Sequence, residues 1–137
     1  MSIIIDKSSM QHMSSFERIT HAEVKDFIEL EDMLIFVVQP GQLFKAIGPK
    51  GANVRKISEK MNKRIKVVEF SPDLIGFITN MIHPLKANNI RQDGKIVIIE
   101  CDDTKTKGLL IGRNAQNLRR LEKVVKRYFD IDEIKVA

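Results

Sequence analysis

Tryptophan is absent, tyrosine and cysteine occur once each, and only four prolines and seven glycines are spread over 137 residues. Each shortage removes a class of protein. A single cysteine, Cys101, forbids an internal disulfide and fits a reducing, cytoplasmic setting. Few glycines and prolines beside 43% hydrophobic and 30% charged residues exclude a disordered or fibrous chain. The longest apolar runs, Met33–Val38 and residues 96–99, fall far short of the roughly 20 residues a membrane helix needs, so no membrane association is expected. The opening residues 2–6 have neither a charged n-region nor a long apolar stretch, and no secretory signal is expected. Neither GxxxxGK[ST] nor GxGxxG occurs, and Ala52-Asn53 after Gly51 supplies no hydroxyl for magnesium. A nucleotide-hydrolysing enzyme is therefore not the expected reading, and no catalytic residue, cofactor or metal site is assigned.

What the chain does have is positive charge in two places. The formal net charge is +5, but residues 44–67 hold eight Lys or Arg against one acidic residue, and residues 105–127 repeat that balance. The remaining segments are acidic. Charge gathered in two blocks of similar length points to an anionic partner and to a duplication.

Sliding the sequence on itself shows the duplication at an offset of 64. Ile47-Gly48 falls on Ile111-Gly112, Asn53 on Asn117, Val54 on Leu118, Arg55 on Arg119, Lys56 on Arg120 and Ile57 on Leu121. Both halves then read in one order. A helix (residues 14–20; 72–83) leads to two strands (24–30 and 33–39; 88–91 and 95–101), turning through Glu31-Asp32 and through Gln92-Asp93-Gly94. A short helix follows (43–47; 107–111), then a four-residue link opened by glycine, a longer helix and a closing strand (65–70; 133–136). In the longer helices Val54, Ile57 and Met61, and Leu118, Leu121, Val125 and Tyr128, form apolar stripes that need a sheet to cover. Each half is thus α-β-β-α-α-β, an α+β layer of helices on a three-stranded sheet. Halves of about 60 residues are marginal alone, so the two are expected to be closely packed. Residues 1–12 are set aside as an N-terminal extension, with Met10 or Met13 as possible starts of the folded part; residues 13–70 and 71–137 are the two domains.

The links are the candidate site. Gly48, Pro49, Lys50 and Gly51 join two helices through residues that let the backbone approach a partner, and the helix opened there presents N–H groups and a positive dipole end to phosphate. Gly112, Arg113, Asn114 and Ala115 keep the first glycine and a basic residue but replace the second glycine. One such tetrapeptide carries little information. Two, each after a hairpin and inside a basic block, point to phosphate-backbone contacts.

The hairpin followed by Ile-Gly-Pro-Lys-Gly-x-Asn-Val-Arg-Lys-Ile resembles a type II KH (K homology) domain. The tandem, with Leu110-Ile-Gly-Arg-Asn-Ala-Gln-Asn-Leu and the ending Lys126-Arg-Tyr-Phe-Asp-Ile-Asp-Glu-Ile, is similar to the archaeal NusA-like transcription factors over about residues 13–137. The resemblance implies two tandem type II KH domains presenting one extended groove to single-stranded RNA, in transcription elongation or termination. The loops would clamp phosphates, with about four nucleotides per module. Carried over residue by residue, the first site is Ile47, Gly48, Pro49, Lys50, Gly51, Asn53, Val54, Arg55 and Lys56. The second is Gly112, Arg113, Asn114, Ala115, Asn117, Leu118, Arg119 and Arg120. The Cβ of Ala115 stands where a close approach is implied, so a weaker clamp or a shifted backbone is expected there. Bacterial relatives carry in addition a polymerase-binding region and an S1 domain; two KH modules fill the residues read here.

Rival readings remain. Two helices around a short turn also describe a helix-turn-helix DNA binder, though such domains rarely sit between a hairpin and a closing strand. The amphipathic helices could instead dock RNA polymerase or a ribosomal component. Stacking platforms for single strands need exposed aromatics, and Phe36 and Tyr128 read as core, so base stacking is not expected to dominate. His12, His21 and His83 lack ligand spacing, Asp130 to Glu133 reads as a connector, and Cys101 as a small packed hydrophobe.

Overall fold

In the computed structural model, which describes residues 7–137, the chain opens with an amphipathic helix, α1 (Lys7–Thr20), and continues through β1 (Val24–Glu29), β2 (Met33–Val38), α2 (Leu43–Ile47), α3 (Ala52–Met61) and β3 (Arg64–Glu69). The same order returns in α4 (Leu74–Ile82), β4 (Asn89–Asp93), β5 (Ile96–Glu100), α5 (Thr104–Ile111), α6 (Gln116–Val125) and β6 (Glu133–Val136). The described residues divide into two compact units, 7–71 and 72–137. The architecture is α+β, with one three-stranded sheet in each unit.

Both sheets are mixed in the same way. β1 runs antiparallel to β2 and β3 parallel to it, with Phe27 opposite Phe36 and Phe36 opposite Val67. In the second unit β4 is antiparallel and β6 parallel to the central β5. A parallel closing strand needs a crossover, and the two helices flanking the Gly-initiated link are that crossover. The link therefore lies at the tip of a connection whose two ends are anchored in one sheet.

The core of the first unit explains why its helices hold this position. Phe16 of α1 stacks on Phe36 of β2 with ring centroids 4.2 Å apart, and Phe27 leans on the same ring at 5.0 Å. Ala22, Leu34, Val38, Ala46 and Ile57 complete the buried cluster, and Met13, Ile19, Val24, Met61, Ile65 and Val67 pack against it. Burial of a large aliphatic or aromatic side chain is worth roughly 1.5–3 kcal/mol, so Ile57 fastens α3 on one side of the link, while the buried Ala46 lets α2 sit close to the core on the other. In the second unit Phe77, Val97, Ile99, Leu110, Leu121, Val124, Val125 and Ile134 are buried. The Phe77 ring meets Tyr128 edge-on at 5.4 Å.

Several boundaries differ from the sequence reading, each for a local reason. α1 begins at Lys7 rather than near residue 14, because serines mask a stripe that continues through Met13, Phe16 and Ile19. α4 begins at Leu74, where the Asp73 carboxylate accepts from the Gly76 N–H at 2.8 Å. α5 begins at Thr104 rather than Lys107, since the Asp103 carboxylate accepts from both the N–H and the hydroxyl of Thr106. The aligned residues before α2 are Pro40-Gly41, which do not extend a helix. The second hairpin turns at Gly94-Lys95, with Gln92 and Asp93 still in β4. α6 ends at Val125, so Tyr128 packs from the following turn. Residues 2–6, read for a secretory signal, lie outside the described residues.

Candidate nucleic-acid interface

The two links have nearly the same backbone. Gly48 (φ 77°, ψ 171°) matches Gly112 (φ 75°, ψ 175°), Lys50 (53°, 30°) matches Asn114 (55°, 31°), and Gly51 (75°, 18°) matches Ala115 (60°, 22°). Two successive left-handed residues reverse the chain between the helices. Lys50, Asn114 and Ala115 adopt a conformation that usually costs an L-residue roughly 1–2 kcal/mol. The protein backbone at Ala115 therefore keeps the course it has at Gly51. At the equivalent Gly51 a Cβ would lie 3.5 Å from the Arg55 guanidinium, an ordinary contact. What Ala115 carries is conformational strain.

Asn53 and Asn117 are the reason for the shared shape. The Asn53 side-chain amide donates to the Lys45 carbonyl at 3.0 Å, and the Asn117 amide donates to the Leu109 carbonyl at 2.9 Å, so each ties the second helix back to the first. That crossing needs the space beside the first glycine. A Cβ on Gly48 would stand 2.8 Å from the Asn53 side chain, and one on Gly112 would stand 2.7 Å from that of Asn117. Inside each turn the Gly51 N–H donates to Gly48 and the Ala115 N–H to Gly112, at 3.1 and 3.2 Å.

The first turns of α3 and α6 lack any side-chain cap, whereas α4 and α5 are capped by Asp73 and Asp103. An uncapped helix start leaves backbone donors for an outside acceptor and keeps the positive end of the helix dipole open. Around the first turn Lys45, Pro49, Lys50, Arg55 and Lys56 are exposed; around the second, Arg113, Asn114, Asn117 and Arg119 are exposed and Arg120 is half-buried. No Asp or Glu occurs between Met33 and Ser58.

Not every basic residue of the blocks belongs to these surfaces. Lys66 stands in β3, and burial holds its ammonium below the ordinary lysine value. Arg55 donates to the Lys50 carbonyl at 2.6 Å and so braces the first turn, while Arg119 pairs with Glu122 at 3.0 Å. Glu122 also accepts from the Ile134 N–H, joining α6 to β6, and Lys126 stands 3.9 Å from it. Ile47, Ile111 and Val54 are half-buried beside the turns, but Leu118 is buried in the second unit. Of the apolar residues predicted to flank the turns, Leu118 alone is withdrawn into the core.

Sequence reasoning missed Phe44, which is 89% exposed on α2, and Leu109, exposed on α5. A five-residue helix is too short for its periodicity to reveal an outward apolar residue. The other candidate groups are structural. His12 stacks on Phe27 at 5.0 Å, Cys101 is buried, and Asp130 pairs with Lys95 at 3.1 Å. That hydrogen bond, with the charges of Asp130 and Asp132, raises the Lys95 pKa. Among the described residues no group of three or more His, Cys, Asp and Glu could hold a metal ion, and no helix is long and apolar enough to cross a membrane.

A Gly-x-x-Gly turn between two helices, set after a hairpin and before a parallel closing strand, defines a KH-domain protein. The family model for the KH domain matches residues 10–83, more than half of the chain. Full-length similarity narrows the class. A probable transcription termination protein NusA of Halococcus morrhuae is 29% identical over the whole of both chains. One of Methanocaldococcus jannaschii is 31% identical over 88% of this chain and 68% of its own. The crystal structure of APE1850 matches with a TM-score of 0.79 at 28% identity, over 97% of this chain and all of the other. The chain belongs to the archaeal NusA-like KH-domain family.

Proposed function

We propose that this protein is a non-enzymatic, cytoplasmic RNA-binding factor of transcription elongation and termination, holding single-stranded RNA at its two interhelical turns. The observation that carries the reading is the pairing, twice over, of an uncapped helix start with a left-handed turn inside a basic block. At Gly48 to Gly51 and at Gly112 to Ala115 the backbone donors and the cations Lys50, Lys56, Arg113 and Arg120 take the phosphates, while Val54 and Ile47 offer an apolar border to bases. Asn53, Asn117 and Arg55 also shape the turns, each giving one N–H to a backbone carbonyl, of Lys45, Leu109 and Lys50 respectively, and keep further donors for the RNA. The role in transcription rests on the archaeal relatives, which are named for termination. RNA polymerase is the protein partner this role implies.

Replacing Lys50 and Gly51 together with Asp tests the reading. Both positions have positive φ, which Asp tolerates better than most residues, and Lys50 is exposed and Gly51 half-buried. Binding of a single-stranded RNA oligonucleotide is expected to fall at least tenfold with circular dichroism unchanged, and retained affinity rejects the clamp. Log affinity should also fall with log salt at a slope of about −0.7 per phosphate contacted. A salt-insensitive complex would favour protein docking as the main role.

A further inference from the structure

The first unit carries an aromatic ring that its fold does not use. Phe44 is 89% exposed, whereas the rings of Phe16, Phe27, Phe36 and Phe77 are buried. An exposed phenylalanine in a chain so poor in aromatics forfeits burial energy that the other rings gain. Its position is specific. The Phe44 carbonyl accepts from the Gly48 N–H at 2.9 Å, so Phe44 stands one helical turn, ~5.4 Å of rise, before the glycine that opens the phosphate turn.

The surroundings separate the possible occupants. Sites that dock proteins set an aromatic anchor within a ring of further apolar contacts. The exposed residues near Phe44 in the chain are instead Pro40, Gly41, Lys45, Pro49 and Lys50, with Leu43 and Ile47 half-buried, so no second large apolar side chain stands exposed beside it. Between Met33 and Ser58 the chain itself carries no acidic residue, and Lys45 and Lys50 stand on the side of Phe44 toward the turn, while Glu17 and Glu23 lie with Lys45 on the side toward β1 and Glu69 accepts from the Gly41 N–H. A flat apolar face beside lysines, one turn from a phosphate site, matches the two chemistries of one nucleotide. We infer that Phe44 stacks on an unpaired base of the RNA whose phosphates are held at Gly48 to Gly51, giving the first unit a base contact that the second lacks. The equivalent position in the second unit is Gly108. This inference rests on the RNA-binding reading above.

The test measures affinity of the full chain for four single-stranded RNA homopolymers of about eight nucleotides, and for the tightest of them rebuilt without bases. Phe44→Ala should weaken binding to the base-bearing strand by roughly 5- to 100-fold and leave the abasic strand unaffected. Phe44→Tyr should retain wild-type affinity. Because the chain has no tryptophan, Phe44→Trp supplies a single reporter whose fluorescence the base-bearing strand should quench and the abasic strand should not. Wild-type affinity in Phe44→Ala, or equal weakening toward both strands, overturns the inference. The paired Lys50 and Gly51 substitution separates the two failures: if it abolishes binding while Phe44→Ala does not, the clamp stands and the stacking falls. If it has no effect, or if the wild-type protein binds none of the four strands, the RNA-binding reading falls and the stacking site with it.

Discussion

The turn at Gly48 to Gly51 is tied from two sides, by the Asn53 amide on Lys45 and by the Arg55 guanidinium on Lys50, and its last residue is a glycine at positive φ. Its counterpart at Gly112 to Ala115 keeps the asparagine tie to Leu109, but the aligned Arg119 turns to Glu122, and an alanine occupies the left-handed position. The dihedral angles nevertheless agree within about 15° at the first, third and fourth residues of the turn. The comparison shows that the first glycine and the asparagine set the shape, while the second glycine only relieves strain. It also divides the labour differently from the motif as written. The residue whose substitution is conspicuous in the sequence, Ala115, alters the energy of the turn and not its course.

The largest test of this division is at the first glycine. Gly48 and Gly112 combine positive φ with extended ψ, a region essentially restricted to glycine, and a Cβ at either would overlap the asparagine. Gly48→Val and Gly112→Val should each cost about 3 kcal/mol, measured by urea unfolding, with similar losses in the two units. A tolerated valine at either position would break the claim that both turns depend on the same packing. A smaller effect is expected at the last residue of the turn. Ala115→Gly should stabilise the second unit by about 0.5–1 kcal/mol and Gly51→Ala should destabilise the first by a similar amount, because the left-handed cost of about 1–2 kcal/mol is partly offset by glycine's greater unfolded-state entropy. Opposite signs from the same assay are the signature; equal signs would contradict the strain assignment.

The smallest effect concerns the helices that lead into the turns. α5 is capped by Asp103 and α2 has no side-chain cap. Hydrogen bonds from the Thr106 hydroxyl and then the Thr106 N–H hold the Asp103 carboxyl below its ordinary value of 3.8. A depressed pKa means that the folded state favours the carboxylate, so its stabilisation is complete above the ordinary value and is lost as pH falls through the lower folded one. Asp103→Asn should therefore lower the melting temperature of the second unit slightly near neutral pH and make less difference in acid, as followed by calorimetry. An equal difference at both pH values would show that the carboxylate's charge plays no part in the cap.

Much of this molecule is legible in its residues for identifiable reasons. The 64-residue repeat exposed both units, since glycine, asparagine, apolar and basic positions fall in one register. The amphipathic stripes of α3 and α6 marked Ile57, Leu121 and Val125, all of them buried. Helix starts were less legible: Asp103 and Asp73 act through side-chain hydrogen bonds that periodicity does not detect, and the serines of α1 conceal its apolar face. At the candidate interface, residue type did not reveal direction. Asn53 and Asn117 are carried over as RNA contacts from the family resemblance, and the structure adds that one N–H of each amide ties its turn to the preceding helix.

The sequence by itself determined two copies of one α-β-β-α-α-β unit, two basic blocks and the turns at which they begin, because period, glycine position and charge are properties of the order of residues. Only the tertiary structure decided that the closing strands run parallel, that Phe44 stands exposed, and that Ala115 follows the path of Gly51 under strain. Those outcomes depend on which neighbour a side chain meets across the sheet or across the turn. Such neighbours lie far along the chain or around a helix too short to show its period, and packing is what brings them together.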